Sequence, residues 1–178
     1  MQVFLIRHAE AVDETLALRD PHRHLTANGR RQARAIGDRL RWHDCAPTHI
    51  WSSPLVRAVQ TAELVASGLH CEVAVDALPA LAPDENPRDV VAAITAIGTS
   101  GAIGAGTAIG AGTAIEAIAT GPIVVLVGHE PGLSAIGALL VGQPEFASLA
   151  KAQAARIVDG ALRWRFAWDA EAPEIVVG

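Results

Sequence analysis

Val3-Phe4-Leu5-Ile6-Arg7-His8 is the stretch on which the fold turns. Four apolar residues in a row read as a strand, and that strand delivers a cation and an imidazole to one edge of a sheet. In open α/β sheets the carboxyl ends of the strands are where ligands bind. Arginine supplies a fixed fork of donors for phosphate oxygens. Histidine is one of the side chains able to attack as a nucleophile and carry a covalent intermediate. An Arg-His pair alone is common, so its meaning rests on three further segments.

Leu25-Thr26-Ala27-Asn28-Gly29 precedes Arg30, Arg31, Gln32 and Ala33. Thr26 reads as a helix N-cap, with the helix over 27–42. Ile50-Trp51-Ser52 reads as a strand end. Ser53 follows as a cap and Pro54 as the first residue of a helix over 54–67, which puts Arg57 one turn in. Ile123-Val124-Val125-Leu126-Val127-Gly128-His129 reads as an apolar strand ending at a histidine, with a helix over 131–141. Three strands therefore end in Arg7-His8, Ser52-Ser53 and Gly128-His129. As parallel neighbours they would bring two histidines and two arginines to one mouth.

The alternation continues along the chain. A short strand is expected at 72–75, a Pro-containing loop over 76–87 and a helix over 88–97. Strand-like runs at 153–158 and 162–168 flank Asp159-Gly160, a hairpin signal. The expected class is α/β: three layers, α/β/α, with a mostly parallel sheet and helices on both faces. The 178 residues suit one domain over 1–178. Ala-Ile-Gly-Ala-Gly-Thr at 102–107 recurs at 108–113, and Ala114-Ile115 begins a third copy. Two copies are too few for a solenoid. The region near 99–115 reads as a low-complexity insertion, a mobile surface loop, with a substrate-gating lid as the functional alternative.

Composition narrows the function. Hydrophobic residues make up 51% of the chain, yet no apolar run approaches the roughly 20 residues of a membrane span. The opening apolar run stops at Arg7, too soon for a signal peptide. Cys45 and Cys71 lack metal-type spacing and read as free thiols in a reducing cytosol, so the expected location is cytoplasmic. A net charge of −5 argues against a general nucleic-acid binder but leaves room for a local cationic pocket. The arginines beside His8 and His129 disfavour a dication, and no ligand-type spacing is visible, so neither metal nor cofactor is expected.

Arg7-His8-Ala9, the Leu-Thr-x-x-Gly segment at 25–29, Ser53-Pro54 through Arg57, and Gly128-His129 together resemble the histidine phosphatase superfamily, the phosphoglycerate-mutase-like branch of α/β folds. The resemblance runs from Met1 to about Trp168 and looks most like the SixA-type phosphohistidine phosphatases. It implies a nucleophile at His8 and catalytic phosphate ligands at Arg7, Arg57 and His129. Arg23 stands where SixA-type sequences carry Arg-Pro-Leu-Thr, which makes it a further phosphate or substrate ligand, although His24 here replaces the proline. Relatives that cleave phosphomonoesters protonate the leaving oxygen with a carboxyl group after the third strand. Asp84 and Glu85 are the candidates for that general acid, with solvated loop carboxylates as the alternative.

The residue types fit the chemistry. Phosphoryl transfer asks mostly for positioning and for stabilisation of spread negative charge. His8 must attack as the neutral imidazole, a form that neighbouring cations favour. The expected partner is a phosphorylated protein (phosphohistidine) or a small phosphorylated substrate, with phosphate or another oxyanion in the pocket and no nucleic acid or membrane. The alternatives are a small-molecule phosphomonoester phosphatase and a non-catalytic phosphoprotein-binding module. A mutase is disfavoured, because the one insertion is uncharged and poor material for gripping a second phosphate. Ser52 and Ser53 lack a Gly-x-Ser-x-Gly frame. Glu10 and Glu130 read as loop-structuring, His22 and His24 as exposed, and Trp164 and Trp168 as core residues on one strand face.

Overall fold

The computed structural model describes residues 1–43, 45–101 and 121–176, with side chains throughout except at 99–101. The repeat at 102–115 lies outside the described residues. Seven strands form one sheet: β1 (Gln2–Arg7), β2 (His49–Ser52), β3 (Val75–Ala77), β4 (Ile123–Gly128), β5 (Gln153–Val158), β6 (Ala161–Ala167) and β7 (Glu174–Ile175). Their order is β3-β2-β4-β1-β5-β6-β7. β3, β2, β4 and β1 are parallel, and β5, β6 and β7 add antiparallel pairs beyond β1. The sheet is thus mixed, parallel on the side that concerns function. The antiparallel half follows from short connections: two residues link β5 to β6, whereas a parallel partner needs a long crossover. Asp159 (φ 48°) and Gly160 (φ 78°) make that link as a tight turn with two left-handed residues.

Among the described residues four α-helices, α1 (Ala27–Arg41), α2 (Val56–Leu69), α3 (Pro87–Gly101) and α4 (Gly132–Val141), cover both faces. Strand alternation decides which core each residue joins. Phe4 and Ile6 of β1 and Val125 and Val127 of β4 pack with Ile36 of α1 and Val65 of α2. Val3 and Leu5, with Val124 and Leu126, pack with Ile94 of α3 and Ile136 of α4. β4 is buried at every position, as its unbroken apolar sequence requires. Trp164 lies in the first core and Trp168, just past β6, packs against it.

Three elements differ from the sequence reading by two residues or more. α2 begins at Val56 rather than Pro54, with Leu55 at its N-cap and no side-chain cap bond, so Arg57 sits in the first turn. The expected strand at 72–75 is instead Val75–Ala77, because His70 (φ 55°) ends α2 and the following residues carry the chain back to the sheet edge. α3 runs four residues past 97.

α1 and α2 pack through a pair of glycines. A Cβ at Gly37 would lie 2.4 Å from Val65 O, and one at Gly68 2.7 Å from Arg34 O. Alanine is the better helix former by roughly 1 kcal/mol, but this clash is with backbone. Gly68→Ala should therefore destabilise the fold by about 1–3 kcal/mol in urea unfolding. An unchanged or raised stability would contradict the close crossing.

Candidate active site

The register of the central strands builds the site. Arg7 pairs with Gly128 across β1 and β4, and Ser52 with Val127 across β2 and β4. His8, Ser53 and His129 therefore stand one residue beyond three neighbouring strand ends. Backbone bonds continue the pairing there: His8 N–H donates to Gly128 O at 3.1 Å and Ser53 N–H to Val127 O at 2.9 Å. The His8 and His129 rings lie 4.9 Å apart, centroid to centroid. Arg57 reaches them from α2, its Nε 3.4 Å from His8 Nε2. His8, Arg57 and His129 are buried and Arg7 is half-buried.

Hydrogen bonds place the protons. His8 Nδ1 lies 2.8 Å from Ala9 O. A carbonyl only accepts, so Nδ1 carries the proton and the neutral ring presents its lone pair at Nε2. Burial lowers the His8 pKa to about 4; Arg57, Arg7 and Lys151 add to this, against the Ala9 bond. His129 Nε2 lies 2.9 Å from Ser53 Oγ, which also accepts the Leu55 N–H. Assigning the Ser53 hydroxyl proton to Nε2 puts the His129 ring proton on Nδ1. Burial, then His8 and Arg57, lower the His129 pKa to about 3. Ser53 is thus a partner of His129 and not the cap of α2, the role its sequence suggests.

Two buried side-chain atoms have no hydrogen-bond partner among the described residues: Arg7 Nε and His129 Nδ1. Such atoms are costly unless a ligand or water satisfies them. With the ring proton of His129 on Nδ1, both are N–H donors, which suits an oxyanion.

The loops behind the site are tied down by acids that follow the histidines. Glu130 Oε1 accepts Leu149 N–H at 2.7 Å, and Leu149 O accepts from Arg7 Nη1 at 2.8 Å. Glu130 Oε2 holds the backbone N–H and hydroxyl of Ser134 in α4. Glu10 accepts from the Thr26 hydroxyl and the Asn28 amide, while Thr26 caps α1 by accepting Gly29 N–H at 2.9 Å. Gly29 is needed there, because a Cβ would lie 1.9 Å from Glu10 O.

The remaining candidates fall at two places. Asp84 (φ 68°) and Glu85 are exposed and, with His129, Pro83, Pro131 and Leu133, line a cavity of about 270 Å³. Arg23 donates Nε to Val12 O at 2.7 Å and Nη1 to Asp20 Oδ1 at 2.9 Å. His22 and His24 are exposed. Among the described residues no three His, Cys, Asp or Glu side chains gather as a metal site.

Sequence reasoning passes over two residues that the structure puts here. Thr61 donates its hydroxyl to Arg57 O at 2.7 Å and accepts Ala9 N–H at 3.1 Å, tying α2 to the loop after β1. Asp20, on a short 3-10 helix at Asp20–His22, accepts Arg57 Nη2 at Oδ2 (3.1 Å) and Arg57 Nη1 at its backbone oxygen (2.8 Å). The one signal for Asp20 is its spacing of three from Arg23, an ordinary ion-pair spacing.

Residues 3–82 match the model of the histidine phosphatase superfamily (branch 1). Among curated proteins the chain is similar to "Probable phosphoglycerate mutase GpmB" of Proteus mirabilis (strain HI4320), 39% identical over 79 residues, which is 43% of this chain and 35% of that protein. The same-named protein of Salmonella paratyphi C (strain RKS4594) is 37% identical over 78 residues, 43% of this chain and 35% of that protein. The match thus spans about a third of the length of these relatives. Among solved structures, the protein histidine phosphatase SixA complexed with tungstate has a TM-score of 0.78 at 23% identity, over 94% of this chain and 97% of that one. A mycobacterial glucosyl-3-phosphoglycerate phosphatase complexed with VO3 has a TM-score of 0.61 at 19% identity, over 92% and 96%. These two structures show the same fold over nearly the whole chain.

The buried histidines make stability depend on pH. An ordinary histidine takes up its proton near pH 6.5, but His8 does so only at about 4 and His129 at about 3. Between those values the unfolded chain binds more protons, so stability falls as pH drops from about 6.5 and is level above it. Unfolding free energy measured from pH 8 to 4 should fall by at most about 1.4 kcal/mol per unit for each histidine. His129→Gln should flatten that slope, and equal slopes in the two proteins would count against neutral, buried rings.

Proposed function

We propose that this chain, whose residues 3–82 match the model of the histidine phosphatase superfamily and whose fold is that of SixA, is a metal-independent phosphatase acting through a phosphohistidine on His8. One observation carries the reading. The His8 Nε2 lone pair faces Arg57 of α2, the His8 and His129 rings lie 4.9 Å apart at adjacent strand ends, and Arg7 Nε and His129 Nδ1 are buried without a partner among the described residues. In the first step Nε2 attacks phosphorus in line, the bond from phosphorus to the leaving group breaks, and the leaving group takes up a proton, from water for an imidazole or from Asp84 or Glu85 for an alkoxide. Water then attacks the phosphorus of phospho-His8 and the P–N bond breaks. Orthophosphate departs and His8 regains its neutral form. Arg7, Arg57 and His129 hold the phosphoryl oxygens throughout and stabilise the charge that spreads over them.

The substrate we favour is a phosphohistidine on a protein. The likeness to the histidine phosphatase SixA supports it, although at 23% identity that likeness is one of fold. The leaving group supports it too, since an imidazole departs more readily than an alkoxide and asks less of an acid. A small phosphomonoester is the second reading, favoured by the cavity that Asp84, Glu85 and His129 all line. In that case one of the two carboxyl groups is the general acid. We assign Arg23 to the phosphate site through Asp20. A single domain over 1–178 and a cytoplasmic location complete the proposal. The free thiols of Cys45 and Cys71 agree with a reducing compartment. No helix among the described residues is long and apolar enough to cross a membrane.

Phosphate release should be measured for the wild type and His8→Ala, from a histidine-phosphorylated protein and from p-nitrophenyl phosphate side by side. His8→Ala should lower release by more than about 10³-fold, and Arg57→Ala by about 10²–10³-fold. Release from the phosphoprotein alone supports the favoured substrate. Comparable release from the ester supports the second reading and predicts loss of ester cleavage on replacing Asp84 or Glu85 by the amide. Oxyanion binding without turnover would make the protein a phosphoprotein-binding module, and unchanged turnover in His8→Ala would rule out the covalent route.

A further inference from the structure

Arg57 has no idle nitrogen in this site. Nε donates to His8 Nε2 (3.4 Å), Nη1 to the Asp20 backbone oxygen (2.8 Å) and Nη2 to Asp20 Oδ2 (3.1 Å). The first of these bonds covers the lone pair that attacks phosphorus. The third takes up one arm of the fork that a phosphoryl group would use. A phosphoryl group that reaches His8 and takes the Nε–Nη2 edge of Arg57 must therefore win those donors from groups of this chain. We infer that Asp20 is an internal counter-anion that competes with the phosphoryl group for Arg57 and is displaced by it. This rests on the reading of the same pocket as a phosphoryl site.

The surroundings of Asp20 fit a carboxylate that moves rather than one locked in place. Its side chain is 39% exposed, while that of Arg57 is 6% exposed, so of the two it is the acid that water can solvate on separation. It sits on a three-residue 3-10 helix without buried residues. Arg23 grips its other oxygen at 2.9 Å and is itself anchored on Val12 O at 2.7 Å. When Oδ2 leaves Arg57, Oδ1 keeps a cation. The bound carboxylate offsets one positive charge of the buried guanidinium, and a phosphoryl group takes over that task on binding. Asp20 thus sets how tightly the pocket holds an oxyanion, and so how readily orthophosphate leaves after each turnover.

The test compares wild type with Asp20→Asn, which keeps the size of the side chain and the backbone contact. Calorimetric titration with inorganic phosphate and with tungstate, at fixed pH and salt, should show the variant binding both about 5-fold or more tightly. A crystal structure of the wild type with tungstate should show Arg57 Nη2 on a tungstate oxygen and beyond the roughly 3.5 Å reach of a hydrogen bond from Asp20 Oδ2. If Asp20 instead pre-orients Arg57 for phosphate, the variant binds more weakly. Weaker or unchanged binding overturns the inference while leaving the phosphoryl site intact. Tighter binding with Asp20 still bonded to Arg57 beside tungstate overturns it as well, since removal of a negative charge then acts through space. Failure of the wild type to bind either anion would sink the phosphoryl-site reading and the inference together.

Discussion

The parallel register between β1 and β4 is the constraint on which the site depends. It sets Arg7 against Gly128, and from there His8 beside His129. A slip of one residue would turn every side chain of β1 to the opposite face. Both faces forbid it: Phe4 and Ile6 fill the core under α1 and α2, and Val3 and Leu5 the core under α3 and α4. The alternation that builds two hydrophobic cores is therefore also what aligns His8 with His129. Core and site are specified by the same four residues.

Burial then selects the charge state of each group. It pushes His8 and His129 well below the ordinary histidine range, so both rings are neutral at pH 7. Positive charge at the strand ends comes from the arginines. Each is steadied largely by backbone carbonyls: Arg7 by Leu149 O, Arg57 by Asp20 O and Arg23 by Val12 O. A carbonyl orients a guanidinium without cancelling its charge. The Asp20 carboxylate is the one acid bonded to Arg57 and Arg23 among the described residues. The chain carries a net charge of −5 and yet concentrates cations at one mouth, which shows how little global charge says about a pocket.

What could be read from the sequence follows from what is local. Unbroken apolar runs marked β1 and β4, Thr26 marked the start of α1, and Asp159-Gly160 marked the β5–β6 turn. All these signals lie within a few residues of what they determine. The start of α2 was misplaced because a capping signal at Ser53-Pro54 lost to a tertiary one: the Ser53 hydroxyl bonds His129, 76 residues away. β3 was misplaced because it is three residues long, half-buried at best, and lacks an alternation to read. Asp20 was invisible because its partner, Arg57, stands 37 residues on, and nothing in an exposed loop sequence points across that distance. The repeat at 102–115 lies outside the described residues.

The choice of arginine at these positions follows from the same burial that neutralises the histidines. A buried lysine loses its proton readily when desolvated, whereas a guanidinium keeps its charge under those conditions. Arg57 also uses its fork in three directions at once, on His8 Nε2, Asp20 O and Asp20 Oδ2. A lysine ammonium would be a single point with no fixed plane, unable to face His8 and Asp20 together. The site thus needs one residue type that stays charged where imidazole does not, and another that goes neutral where guanidinium does not. Placing both in one buried site lets one degree of burial serve two opposite requirements: a neutral imidazole at His8 and a persistent positive field around it.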